Sequence, residues 1–239
     1  MKKYIYILLA LLVSICLCFP KIKNISKKTI KKDRKVEAEK FVNKLDELGY
    51  YKYAEKEDVI LLKNEMKEMI EEFGSQGTLI TVWDEETMIS RDYRYYLCDG
   101  EDVFEEGGIP DLLKDLEPTF RKLDFKINVD NFTEEWDDIN KWLNTRIIIN
   151  GTEYIIFEKF KGVGWGEAPM RIANALNKEM EKQGIKEKIY LIAGGNEGNL
   201  VFLTEELYQY MYKYFKDPIY KPLELNEWGK VMETEPMNF

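Results

Sequence analysis

Two glycine-rich segments carry the residue types that hold a small ligand. Residues 162–168 read GVGWGEA and residues 194–199 read GGNEGN. In the first, Gly164 and Gly166 belong to the loop, where turn geometry alone is the plainer role for glycines, Trp165 offers a stacking face, and Glu167 puts a carboxylate at the start of an expected helix. In the second, Asn196, Glu197 and Asn199 supply hydrogen-bonding groups. These seven residues form the candidate site, with Glu167 or Glu197 as base or ligand anchor. For the loops to meet, the strands that precede them should lie parallel in one sheet, because open α/β sheets bind ligands at the carboxyl ends of parallel strands.

The rest of the chain narrows the chemistry. Histidine is absent, which removes the usual general base, the Ser-His and Cys-His nucleophile pairs and the commonest zinc ligand. The spacing Gly162, Gly164, Gly166 fails the dinucleotide-binding pattern, which requires glycine where Glu167 stands, and an acid at that helix start repels phosphate. The acidic run 99–106 (DGEDVFEE) lacks the spacing of a calcium-binding helical loop and reads as a solvated turn. Cys98 has no histidine or neighbouring base to generate a thiolate and reads as a small core residue. No cofactor is implied, and the balance leans away from an enzyme.

Positioning such loops falls to a body that reads as α+β. Phe41, Val42, Leu45 and Leu48 fall at helical spacing before Gly49, and a second helix carries Val59, Leu62, Met66, Met69, Ile70 and Phe73 up to Gly74. Residues 78–83 (TLITVW) and 93–97 (YRYYL) are rich in β-branched and aromatic types and are expected as strands. Two short helical pieces should follow, opened by Pro110 and broken at Pro118. Residues 125–129 are a candidate strand, and Thr133 is expected to cap a short helix through Trp136, Ile139 and Trp142. Three isoleucines (147–149), then Asn150-Gly151, then 154–157 (YIIF) give the strongest hairpin signal. A helix through Ile172, Leu176 and Met180, a buried strand at 189–193, a returning strand at 200–203 and a helix capped by Thr204 complete the body. The expected architecture is a mixed sheet with an Asn-Gly hairpin and a βαβ-like crossover, flanked by amphipathic helices, behind an N-terminal apolar helix. Residues after 217 read as an irregular tail with Trp228 docked.

Charge divides the chain sharply. Residues 1–35 hold ten Lys or Arg against one Asp, a net of +9, so the remainder carries −18. Such a body lacks the basic footprint that phosphate attraction requires, which argues against nucleic acid. Residues 4–19 contain no charge and follow two lysines, which marks residues 1–20 as a signal-anchor or signal-peptide-like segment. Lipidation at Cys16 or Cys18 is a further alternative, although Ile15 and Leu17 stand where a small residue is wanted. Residues 21–35 are a basic neck near lipid heads, and residues 36–239 form one acidic domain. The eight cations of the neck favour the cytoplasmic side for that flank, whereas the signal-like leader favours export, and export takes a slight edge. The functional expectation is a membrane-tethered protein-binding domain for a basic protein partner, of the immunity or adaptor kind. The alternative is a small-ligand-binding protein or enzyme that uses the two glycine loops.

Overall fold

The structure is a computed structural model that describes residues 33–234. The leader, all but the last three residues of the basic neck, and residues 235–239 lie outside that range. Helix α1 covers residues 33–47, so the end of the neck is already helical. Helix α2 follows at Val59–Phe73. Glycines close both helices in conformations that cost a side chain energy, Gly49 at φ 76° and Gly74 at φ 57°. The expected spacing is realised as burial: Phe41, Val42 and Leu45 pack in one core with Leu62, Met66 and Ile70.

Beyond them come β1 (Tyr95–Leu97), α3 (Gly100–Phe104), α4 (Gly108–Asp115), α5 (Glu117–Leu123), β2 (Val129–Asp137), β3 (Trp142–Ile149) and β4 (Thr152–Phe160). The chain continues with α6 (Glu167–Lys182), β5 (Glu187–Ile192), β6 (Asn199–Thr204), α7 (Glu205–Tyr214) and α8 (Leu225–Val231). The six strands make two antiparallel three-stranded sheets, ordered β1-β6-β5 and β2-β3-β4. The α+β class therefore stands, but the single mixed sheet and its crossover do not. The strands on either side of α6 belong to different sheets, and β5 pairs antiparallel with β6. A connection long enough for a parallel return does not compel one. Strand β6 lies only a short loop beyond β5, so their pairing closes a small loop at lower entropic cost.

The sheet β1-β6-β5 is the middle layer. Along β5 and β6 alternate residues enter opposite cores: Ile189, Leu191, Leu200 and Phe202 join one, while Tyr190, Ile192, Val201 and Leu203 join the other. The first core faces α4, α5, α6 and the second sheet, and the other faces α1, α2 and α7. Burial on both faces explains the unbroken apolar runs in these two strands.

Four further expectations need correction. Residues 78–82 form no strand, and Trp83 makes only an isolated bridge to Ser90 around a turn in which Asp84 accepts from the Thr87 N–H and Oγ1. The helix expected from Thr133 is instead β2, bonded to β3 with Thr133 opposite Arg146 and Trp136 opposite Leu143. Strand β3 has two edges, and β4 covers only one, so a neighbouring extended segment gains a full ladder by covering the other. Residues 125–128 stay outside the strand that begins at Val129. Finally, the expected tail contains α8, whose Trp228 is buried as anticipated.

The Asn150-Gly151 hairpin forms as read. Both turn residues have positive φ, 51° and 75°, and Ile149 pairs with Thr152 across the turn. Glu179 of α6 pins this turn from below, accepting from Asn150 Nδ2 at 3.0 Å, Lys182 Nζ at 2.6 Å and Tyr154 Oη.

A buried ionic knot ties the helical side to the middle sheet. Arg94 is fully buried and donates to the carbonyls of Tyr50 (2.6 Å), Phe202 (2.7 Å) and Gly49 (3.2 Å). Its Nη2 lies 3.6 Å from Glu187 Oε1, which also receives Lys52 Nζ at 2.7 Å and Tyr53 Oη at 2.8 Å. Asp92, fully buried as well, accepts from Tyr50 Oη and from the N–H groups of Arg94 and Tyr95.

Candidate functional site

The two glycine loops do come together, for a reason other than a crossover. Helix α6 packs against β5 after a short turn, so the start of the helix lies beside the end of the strand. Trp165, Gly194, Gly195, Gly198 and Asn199 line one cleft with Gly100 and Trp228. Its volume is about 10 Å³, room for a single water.

The glycines in and around this cleft serve packing. A Cβ on Gly100 would lie 2.0 Å from the Trp165 carbonyl oxygen, and one on Gly198 would lie 2.6 Å from that of Cys98. Gly164, at φ 74°, presses against the Phe104 ring, and Gly166 against Thr234. Trp228 closes the floor, its Nε1 donating to the Ala193 carbonyl at 2.5 Å. Beneath lies Cys98, whose thiol is pushed up to about 12 by burial and by the nearby Asp99 and Asp102, which keeps it protonated at neutral pH. Of the seven residues expected at a site, Trp165 and Asn199 reach the cleft. Asn196 and Glu197 face solvent, Glu167 is half-buried in the first turn of α6, and Asn199 Nδ2 is spent on the Glu197 carbonyl at 2.7 Å. The acidic run resolves as helix capping: Asp99 accepts from the Glu101 N–H at 2.9 Å, and Glu101 and Asp102 occupy the first turn of α3. Among the described residues no group of three or more Cys, Asp or Glu side chains gathers as a metal site, and no helix is long and apolar enough to cross a membrane.

A more exposed arrangement sits where a helix was expected. At the tip of the β2–β3 hairpin Trp136 is 55% exposed and Ile139 is 91% exposed. Glu135, Asp137 and Asp138 flank them, with Lys141 the only cation between residues 134 and 141. Asp137 builds the turn, accepting from the N–H groups of Ile139 (2.9 Å) and Asn140 (2.8 Å) and from Asn140 Nδ2 (2.9 Å). The Asn140 side-chain and backbone bonds hold the Asp137 carboxyl below its ordinary range. At the foot of this arm, Glu134 accepts from the Gly107 N–H at 3.0 Å, and burial, aided by Glu106, raises its carboxyl. The arm is thus a fixed turn that shows two large apolar side chains in an acidic setting. Sequence periodicity concealed it, because Trp136, Ile139 and Trp142 are spaced as a helix face would be.

No protein-family model matches this chain, and no curated protein or solved structure is found to be similar to it, so its chemistry stands on the geometry described above.

Proposed function

We propose that the chain is a membrane-tethered protein-recognition domain whose partner is basic, and that the β2–β3 hairpin tip is its contact surface. The exposure of Trp136 and Ile139 on a turn already fixed by Asp137 carries this reading. Large apolar side chains left in water on an ordered arm are a usual mark of a protein contact, and tryptophan is enriched among residues that dominate binding energy. A turn with little freedom to lose also binds at lower entropic cost. Three carboxylates around the tip, Glu135, Asp137 and Asp138, on a body of net charge −18, favour a cationic partner and speed encounter with it. The uncharged residues 4–19 behind two lysines support the tether, with the body on the outer side of the membrane.

Pulldown from the native host at low salt, with the full-length chain as bait, tests the reading. The expected result is a basic protein that is released as salt rises. Trp136→Ala should weaken its binding by about 2 kcal/mol, roughly thirty-fold in Kd, with no loss of thermal stability. An empty pulldown at low salt, or a partner indifferent to Trp136→Ala and Ile139→Ser together, would overturn it. Protease accessibility on intact cells checks the side of the membrane. The alternative of a small ligand between the glycine loops requires the 10 Å³ cleft to open. Thermal-shift screening with nucleotides, sugars and divalent ions tests that requirement.

A further inference from the structure

A second surface, away from the hairpin tip, has the form of a strand-binding groove. Among the described residues, strand β4 is bonded on one side only, to β3. Because a two-residue turn makes Ile149 and Thr152 the closing hydrogen-bonded pair, the backbone groups of Thr152 and Tyr154 point toward β3. Those of Glu153 and Ile155 point away, along the open edge. Helix α6 runs beside this edge, and the space between them is a groove of about 1000 Å³.

The facing wall is one stripe of α6. Arg171, Asn174, Lys178 and Lys182 recur every three or four residues and all line the groove. The walls are latched at both ends. Arg171 Nη1 donates to the Ile156 carbonyl at 2.8 Å, and Lys182 Nζ reaches Thr152 Oγ1 at 2.9 Å and Tyr154 Oη at 3.1 Å. The register of β4 slips at Ile156 and again before Phe160. At the second slip Lys159 has φ 50° and its N–H is held by Asn144 Oδ1 at 2.9 Å. Lys159 and Lys161 consequently stand together over the Trp142 ring, 5.5 and 5.4 Å from its centroid.

Charge selects the occupant. Five cations line the groove against three carboxylates, and although one of the five, Lys182, is paired with the buried Glu179 at 2.6 Å, the lining remains more cationic than the strongly acidic body around it. Two of those carboxylates, Glu153 and Glu158, are drawn to Arg146 on the outer face of the sheet at 3.6 and 3.5 Å. An open strand edge recognises extended backbone, and a cationic wall recognises acidic side chains on it.

We propose that the groove between β4 and α6 takes an extended acidic segment of a partner protein, added as a strand at Glu153 and Ile155. This does not rest on the reading of the hairpin tip. The test uses the full-length chain in neutral detergent and a synthetic octapeptide alternating glutamate with valine, compared with the same peptide carrying lysine for glutamate. The acidic peptide should bind, more weakly as salt rises, and should shift the amide resonances of Glu153 and Ile155. Lys159→Glu with Lys178→Glu should weaken binding by about tenfold. Ile155→Pro removes an edge N–H that β3 does not use and should abolish binding, whereas Trp136→Ala should leave it unchanged. Melting temperatures close to wild type for the charge-reversed chain keep the comparison sound even if the proline variant folds poorly. Three results would overturn the proposal: no binding of the acidic peptide, equal binding of the lysine peptide, or a self-association of the chain that Ile155→Pro abolishes while the peptide stays unbound.

Discussion

Arg94 shows how much one side chain can be asked to hold. Its guanidinium is out of water, and burial pushes it below its ordinary value, against the opposing pull of Glu187, Tyr50, Tyr53 and Asp92. Burial likewise acts to raise the Glu187 carboxyl, but the bonds from Lys52 and Tyr53 and the charge of Arg94 outweigh it and hold the group below the usual carboxylate range. Arg94→Met leaves Glu187 short of a partner in a buried setting and should cost about 3–5 kcal/mol in urea unfolding. The pH dependence has a defined sign. A carboxyl lowered in the folded state stabilises fully above its unfolded value of about 4.3, and that contribution disappears as pH falls through the lowered value. Glu187→Gln should therefore flatten the acid limb of a stability-against-pH curve while lowering stability at neutral pH. None of this was visible in the residue types, because the contacts of Asp92, Arg94 and Glu187 exist only once three distant segments are brought together. The candidate site shows the complementary failure. Its glycines carry no mark in the sequence of what they face, and what Gly164 and Gly166 face is the chain's own Phe104 ring and Thr234 side chain.

Elements were most legible where a single local device dictates them. Gly49 and Gly74 stop their helices, Thr204 caps α7 by accepting from the Leu207 N–H, and Asn150-Gly151 turns a hairpin because both positions need positive φ. The turn permits a ranked prediction. Gly151→Ala puts a Cβ at φ 75° and should cost about 1 kcal/mol. Asn150→Ala should cost more, about 2 kcal/mol, since it also removes the amide that donates to the buried Glu179. Equal costs in parallel denaturation curves would mean that Glu179 contributes nothing to the turn. Elements were least legible where pairing decides between two periods. Residues 133–142 satisfy a helical spacing, yet residues 133–137 pair along the vacant edge of β3, and residues 78–83 have strand composition with no ladder to join. Propensity is local, whereas a free edge is a property of the assembled sheet.

At the scale of the molecule, the α+β class, the order of most elements and the charge division were readable from the sequence, and the partition into two sheets was not. Short connections favour local antiparallel pairing, but the sequence holds no mark of which strands share a sheet. The feature with the widest reach is β6, where Leu200, Val201, Phe202 and Leu203 are all fully buried and alternate between the two cores. Neither core can lose its packing while β6 stays in place for the other. The helical front and the hairpin-bearing back should consequently melt as one calorimetric unit, with a van't Hoff enthalpy equal to the measured heat. Amides at the centre of β5 and β6 should trade their protons with solvent only through complete unfolding. A destabilising change as far away as the Asn150 turn would then loosen the packing of α1 and α2 by the same free energy, and proteolysis would find no halfway species to cut.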